Sequence, residues 1–194
     1  MTSTRGIASA AFMLLAIPAT LASQALGAWA PVIVIHVFLG ASMLALAVAV
    51  FDFPLPRWVN VIGAASAAAF GAIFLLQALS LSLNDSLDFI AFKILGQAPE
   101  LLLPIGILFW FAALLLRASR GRTRYVGWVI VPAVIGLQAA LFIGLLTGIE
   151  VANLKVVFML PFVWLLLESA KPAPDTVERR DPRDAEQAAG AASS

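Results

Sequence analysis

Long apolar runs constrain the fold of this chain more than any other feature of its sequence. The hydrocarbon core of a bilayer is about 30 Å thick and is crossed by about 20 residues of apolar helix. Hydrophobic residues make up 62% of the chain and charged residues only 12%, whereas soluble domains carry about 25% charged residues. Because a helix satisfies its backbone hydrogen bonds internally in lipid, the sequence predicts an all-α, polytopic membrane helix bundle.

The apolar runs are separated by short segments that carry proline or charge, such as "DFPLPRW" at 52–58. Six transmembrane helices are predicted, at about 7–28, 31–51, 58–81, 101–116, 125–147 and 151–168. The first run has an alternative interpretation as a signal peptide, since Arg5 precedes it and "ALGA" offers small residues for cleavage. Its length favours retention as a span.

Two segments outside the spans have distinct patterns. The stretch "LNDSLDFIAFKILGQAP" places Leu and Ile at helical spacing against Asp, Lys and Gln, which predicts a short helix on the membrane interface. Residues 171–194 are polar, rich in Pro and Ala, and carry charges of both signs, which is typical of disorder. We therefore divide the chain into a transmembrane bundle, 1–170, and a disordered cytoplasmic tail, 171–194.

Orientation follows from the basic residues near the ends of the spans, because cytoplasmic loops are enriched in Lys and Arg. Arg117, Arg120, Arg122 and Arg124 lie between the fourth and fifth spans. We expect that loop to be cytoplasmic. Six spans then place both termini on the same cytoplasmic side.

Small residues recur every four positions in two of the predicted spans. Gly63, Ala67 and Gly71 form such a stripe in the third span, and Gly136, Ala140, Gly144 and Gly148 form one in the fifth. Small side chains let helix backbones approach closely in lipid. We expect close helix packing at both stripes, within the chain, with another copy or with a different membrane protein.

Polar side chains within the predicted spans concentrate toward the outer side of the membrane. Intramembrane polar and ionisable residues normally face the bundle interior or a wet cavity, so we predict an outward-facing polar pocket with His36 as its titratable member. Each residue also has a structural explanation, such as an interfacial histidine or a snorkelling lysine. The candidate ligand-binding residues are His36, Gln77, Glu100, Gln138, Glu150, Asn153 and Lys155.

Several functional classes are disfavoured. The formal net charge is +1, so nucleic acid is not an expected partner. The chain has no cysteine, which excludes thiolate metal sites and Cys nucleophiles. A metal site would depend on His36, Glu100 and Glu150 without a defined spacing, so none is predicted. The sequence identifies no catalytic residue and no cofactor.

Three functional hypotheses remain. The first is a non-enzymatic membrane protein that binds or passes a small molecule through the outward-facing pocket. The second is an accessory or assembly subunit that docks another membrane protein. The third is a membrane-embedded enzyme that acts on a lipid or apolar substrate, with His36 working beside Glu100 or Glu150. The lipid bilayer is the expected surrounding in all three.

Overall fold

The computed structural model describes residues 3–26, 29–82, 104–147 and 159–171. Within these ranges the chain is helical, without β-strands, and forms six α-helices and one 3-10 turn. This confirms the all-α prediction. The helices are α1 (Thr4–Leu26), α2 (Trp29–Ala49), α3 (Arg57–Ser82), α4 (Pro104–Arg117), α5 (Arg122–Thr147) and α6 (Leu160–Ser169), with the 3-10 turn at Val50–Asp52. The predicted interfacial helix and the tail beyond Lys171 lie outside the described residues.

Three helical stretches are long and apolar enough to cross a membrane: Val32–Asp52, Arg57–Ser82 and Arg122–Gly144. The other described helices contain shorter apolar stretches, Thr4–Ala19, Pro104–Arg117 and Leu160–Ser169. At 1.5 Å per residue α3 is about 39 Å long and α4 about 21 Å. Length and composition therefore identify three candidate spans among the helices that the structure describes.

Proline occurs in the described parts of α4 and α5. Pro104 is the first described residue of α4, and Pro132 lies inside α5. A proline inside a helix removes one backbone donor, yet α5 continues through Pro132 to Thr147.

Cross-helix hydrogen bonds place the start of α1, the α2–α3 turn, the α4–α5 loop and the end of α6 at one end of the bundle. The Ser3 amide donates to the Ser169 carbonyl at 3.1 Å. The Ser3 hydroxyl donates to Asp52 at 2.8 Å, and the Ser119 hydroxyl to Glu168 at 2.6 Å. We call this the basic end, because it carries Arg5, Arg57, Arg117, Arg120, Arg122, Arg124 and Lys171.

The core is built around the aromatic side chains of α4 and α6. Trp110 and Trp164 are fully buried, and Phe111 lies between them with ring centroids 5.2 Å and 6.1 Å away. Both indole N–H groups are satisfied: Trp110 donates to Asn60 Oδ1 at 3.0 Å and Trp164 to the Thr123 carbonyl at 2.9 Å. Burial of Trp normally requires such a partner. The Trp110 hydrogen bond fixes α4 to α3, and the Phe111–Trp164 ring contact fixes α4 to α6.

The small-residue stripe of α3 is buried, as predicted. Gly63, Ala67 and Gly71 all face neighbouring helices. A Cβ at Gly63 would lie 2.8 Å from the Trp110 ring, and a Cβ at Gly71 would lie 3.0 Å from the Gly40 carbonyl oxygen of α2. The backbones of α2 and α3 approach too closely here for larger side chains.

The stripe of α5 has a different outcome. No described atom lies within 4 Å of a Cβ built on Gly136, so the close contact predicted at Gly136 is absent from the described bundle. The tight contact on α5 is instead at Gly127, where a Cβ would lie 2.7 Å from the Trp164 ring of α6. Elsewhere on the predicted stripe, Ala140 is partly buried and Gly144 is buried, whereas Gly148 lies outside the described residues.

Candidate functional site

His36 lies on α2 in the half of the bundle away from the basic end, and its side chain is partly buried. Its ring nitrogen Nδ1 is 2.7 Å from the Val32 carbonyl oxygen, one turn earlier on the same helix. A carbonyl only accepts hydrogen bonds, so Nδ1 carries the proton and donates. In the neutral ring Nε2 is then an acceptor.

The neighbouring helix α3 contributes Phe74 and Gln77 to this region. The His36 and Phe74 rings meet edge to face, with centroids 5.9 Å apart. Gln77 follows Phe74 by three residues, so both lie on one face of α3. Gln77 Oε1 is buried and has no hydrogen-bond partner within the described ranges. A buried acceptor without a partner costs about 1–3 kcal/mol, which makes this oxygen an unusual feature of an apolar helix pair.

The point where α2 and α3 cross most closely shows where His36 and Gln77 lie along the two helices. Gly40 and Gly71 face each other, and a Cβ at Gly40 would lie 2.7 Å from the Leu75 side chain. His36 is one turn before Gly40, and Gln77 is nearly two turns after Gly71. Because the two helices run in opposite directions, both polar side chains lie on the same side of the crossing. We call His36, Phe74 and Gln77 the α2–α3 polar pair region.

Of the seven predicted ligand-binding residues, the structure describes three. His36 and Gln77 lie on the neighbouring helices α2 and α3, and His36 contacts Phe74, which precedes Gln77 by three residues. Gln138 is buried on α5, which packs against α6. Glu100, Glu150, Asn153 and Lys155 lie outside the described residues, so the pocket as a whole remains a prediction.

The described carboxylates are at the other end of the molecule. Glu168 is buried, with Oε1 accepting from Ser119 at 2.6 Å and Thr123 at 2.5 Å, and Oε2 accepting from Lys171 at 2.6 Å. Asp52 accepts from Ser3 and forms an ion pair with Arg5 at 3.4 Å. Both are occupied in connecting helix ends, so neither is placed to assist His36 as an acid or base.

Glu168 is the polar residue that the sequence analysis missed. It sits in the last turn of α6, where a carboxylate faces the negative end of the helix dipole and is disfavoured without a partner. Lys171 follows it by three residues, and the two form an ion pair. An acid at that position, followed by a base three residues later, is the sequence signal that would have identified it.

A second missed contact joins α1 and α2. The Ser9 hydroxyl donates to the Ser42 carbonyl at 2.9 Å, and the Ser42 hydroxyl donates to the Ser9 carbonyl at 2.8 Å. Both serines are fully buried. The reciprocal bonds fix the register of the two helices and leave neither hydroxyl available as a nucleophile.

Within the four described ranges, no group of three or more His, Asp or Glu side chains is arranged to hold a metal ion. Comparisons with protein families, with characterised proteins and with solved structures find no match to this chain. The described residues and their geometry are therefore the basis for the function proposed below.

Proposed function

We propose that the chain is a six-span integral membrane protein with the basic end in the cytoplasm. Each predicted span overlaps a described helix, although α6 covers only the second half of the predicted span 151–168, and three of the helices are long and apolar enough to cross a membrane. The arginines gathered at one end support the orientation, because basic residues are retained on the cytoplasmic side. Both termini then belong to the cytoplasmic face.

Cysteine labelling tests this topology, since the chain has no native cysteine. Ser119 is an unsuitable probe because it is buried and bonded to Glu168. Arg120 and Ser82 are both exposed, at opposite ends of the bundle. An impermeant maleimide should label Ser82→Cys in intact cells and Arg120→Cys only in inside-out vesicles. The reverse pattern would contradict the orientation, and labelling of both from one side would contradict the span count.

We propose further that the protein is non-enzymatic and binds or passes a small molecule between the outer halves of its helices. The observation that carries this proposal is the buried Gln77 Oε1, which has no described partner. With Nδ1 of His36 occupied by Val32, the polar pair region offers two acceptors, His36 Nε2 and Gln77 Oε1. Two acceptors beside an aromatic ring suit a ligand that has an apolar body and N–H or O–H donors.

A thermal-shift measurement on the purified full chain tests ligand binding. The probes are small amines, amides and alcohols, each paired with an ether or ester of similar size that lacks N–H and O–H groups. Donor-bearing probes should raise the melting temperature, since a ligand that binds only the native state stabilises it. The shift should disappear in His36→Leu and in Gln77→Leu. Ser82→Ala is the control, because Ser82 is exposed and bonds only to its own helix at Leu79.

The single histidine provides an independent assay. Diethyl pyrocarbonate acylates neutral imidazole nitrogen as well as amines and phenols. His36 is the only histidine in the chain, so the mass increment on the peptide that contains His36 reports on it. An effective probe should slow this modification. Shifts that persist in both Leu variants, or acylation that no stabilising probe slows, would contradict the binding proposal.

The docking hypothesis is the second candidate, and Gly136 favours it. Gly136 is exposed on the stripe that also carries Ala140, and no described atom occupies the space beside it. We propose that a membrane protein or a second copy packs there. Gly136→Leu should then abolish cross-linked complexes in native membranes while leaving the melting temperature of the isolated chain unchanged. Retained complexes in Gly136→Leu would eliminate this candidate.

A further inference from the structure

The segment 117–124 carries the densest positive charge in the described chain. It comprises the end of α4, the connecting loop and the first turn of α5, and we call it the α4–α5 loop. Its sequence, "RASRGRTR" at 117–124, contains Arg117, Arg120, Arg122 and Arg124, and all four residues are exposed. Elsewhere at the basic end, Arg5 pairs with Asp52 and Lys171 pairs with Glu168. In the ranges that the structure describes, no carboxylate pairs with any of the four loop arginines.

The backbone of this loop is fixed, although its arginine side chains are exposed. Ser119 and Thr123 donate to Glu168, and Lys171 Nζ donates to the Arg120 carbonyl at 2.7 Å. Gly121 adopts φ 68°, a conformation that favours glycine, and reverses the chain between α4 and α5. The arginine positions are thus held before any partner arrives, which reduces the ordering cost of binding.

Exposed aromatic residues indicate how deep the loop lies relative to the lipid headgroups. Tyr125 is 76% exposed and Trp128 48% exposed, in the first two turns of α5. Exposed Tyr and Trp rings concentrate at the level of lipid headgroups. The arginines directly before them therefore lie at or just outside the phosphate layer. The N-terminal end of α5 adds partial positive charge at the same level.

From this arrangement we propose that the α4–α5 loop binds the phosphate groups of anionic phospholipids. Guanidinium groups form paired hydrogen bonds with phosphate oxygens, and basic segments beside a membrane are attracted to anionic lipid. The exposed aromatic rings provide a contact for the lipid's apolar portion that inorganic phosphate does not use. This proposal depends on the membrane placement of the chain and is independent of ligand binding at His36.

The test uses the full chain in an uncharged detergent, titrated with phosphatidylglycerol, phosphatidylcholine or inorganic phosphate at matched ionic strength. The melting temperature reports binding. Phosphatidylglycerol should raise it, and the other two should not. Each arginine near an anionic surface contributes roughly a fivefold gain in affinity, so Arg120→Gln/Arg122→Gln/Arg124→Gln should weaken the apparent affinity by about 100-fold.

The matched control is Arg179→Gln/Arg180→Gln/Arg183→Gln, which removes the same three charges outside the loop and should keep the native response. Without lipid, the loop variant should melt at the native temperature, because the side chains it changes are exposed. An unchanged lipid response in the loop variant would overturn the proposal, as would an equal loss in the control. An equal shift with phosphatidylcholine would remove the charge requirement, and an equal shift with inorganic phosphate would identify a free-anion site instead.

Discussion

The two ends of the bundle satisfy their polar groups in different ways. At the basic end, hydrogen bonds cross between helices: Ser3 reaches Asp52, Ser119 reaches Glu168, and Trp164 reaches the Thr123 carbonyl. At the opposite end, His36 bonds to Val32 and Ser82 to Leu79, each within its own helix. Each end also has a buried oxygen without a partner in the described ranges, Gln77 Oε1 at the opposite end and Ser169 Oγ at the basic end.

This difference indicates that the two ends of the bundle are held together to different degrees. A cross-helix hydrogen bond resists separation of the helices, whereas a bond within one helix does not. Within the described residues, these bonds fix the basic end, whereas at the opposite end α2 and α3 meet by packing at Gly40 and Gly71. Regions with few cross-helix constraints open at lower free energy, so we expect the described part of the opposite end to open more readily.

The largest effect is expected for Glu168→Ala. This change removes the acceptor of the Ser119 hydroxyl. It also removes one of the two acceptors of Thr123 and of Lys171, which both keep the Arg120 carbonyl. Loss of one member of a buried polar group costs about 3 kcal/mol. Unfolding of the variant by increasing fractions of denaturing detergent should show this loss.

Asp52→Ala is the control for that change at the same end of the bundle. Its partner Arg5 has a side chain that is 59% exposed, and such pairs contribute at most about 1 kcal/mol. The hydrogen bond from Ser3 is also lost and contributes about 1 kcal/mol, so the total loss should be smaller than for Glu168→Ala. Equal destabilisation by the two variants would show that burial of Glu168 is not what fixes the basic end.

A smaller effect is expected when a methyl group is added at Gly127. The new Cβ in Gly127→Ala would meet the Trp164 ring at 2.7 Å and Leu115 at 2.8 Å. Overpacking of this kind costs about 1–3 kcal/mol, measured as a loss of unfolding free energy. Gly136→Ala is the matched change on the same helix, with open space around it, and should be neutral or slightly stabilising. A destabilised Gly136→Ala monomer would mean that the open face of α5 is covered within the chain.

Ser42→Ala should have a moderate effect. It removes the donor to the Ser9 carbonyl but leaves the Ser42 carbonyl to accept from Ser9. A single buried hydrogen bond contributes about 1 kcal/mol, and the unfolding free energy should fall by that amount. A loss as large as that of Glu168→Ala would show that the Ser9–Ser42 hydrogen bonds between α1 and α2 stabilise the bundle as strongly as the hydrogen bonds of Glu168.

The smallest effect on stability is expected for His36→Leu. The Val32 carbonyl keeps its acceptor role in the helix, and Leu is well accepted in lipid. The unfolding free energy should change by less than about 0.5 kcal/mol, even though the ligand response described above is lost. A large loss of unfolding free energy would instead show that His36 stabilises the bundle, and that the end opposite the basic end also fixes the helices.

The sequence predicted the helical class and the buried stripe of α3, because apolar runs and small-residue spacing are local properties. It did not predict Gly127, whose role depends on Trp164 of α6 facing it, or Glu168, whose role depends on Ser119 and Thr123 lying beside it. It also placed equal weight on Gly136 and Gly63, although only Gly63 meets a buried ring. For the candidate site, the sequence selected His36 and Gln77, but the bond to Val32 and the contact with Phe74 required the structure.

Alkylation of a buried cysteine at each end tests the central claim most directly. Ala49 and Ala78 are 0% and 5% exposed, and they lie at the basic end and the opposite end respectively. In the cysteine-free chain, Ala49→Cys and Ala78→Cys should react with a maleimide only when their surroundings open. In uncharged detergent we expect Ala78→Cys to react at least about tenfold faster, which corresponds to about 1.4 kcal/mol. Equal rates, or faster reaction at Ala49→Cys, would contradict the account.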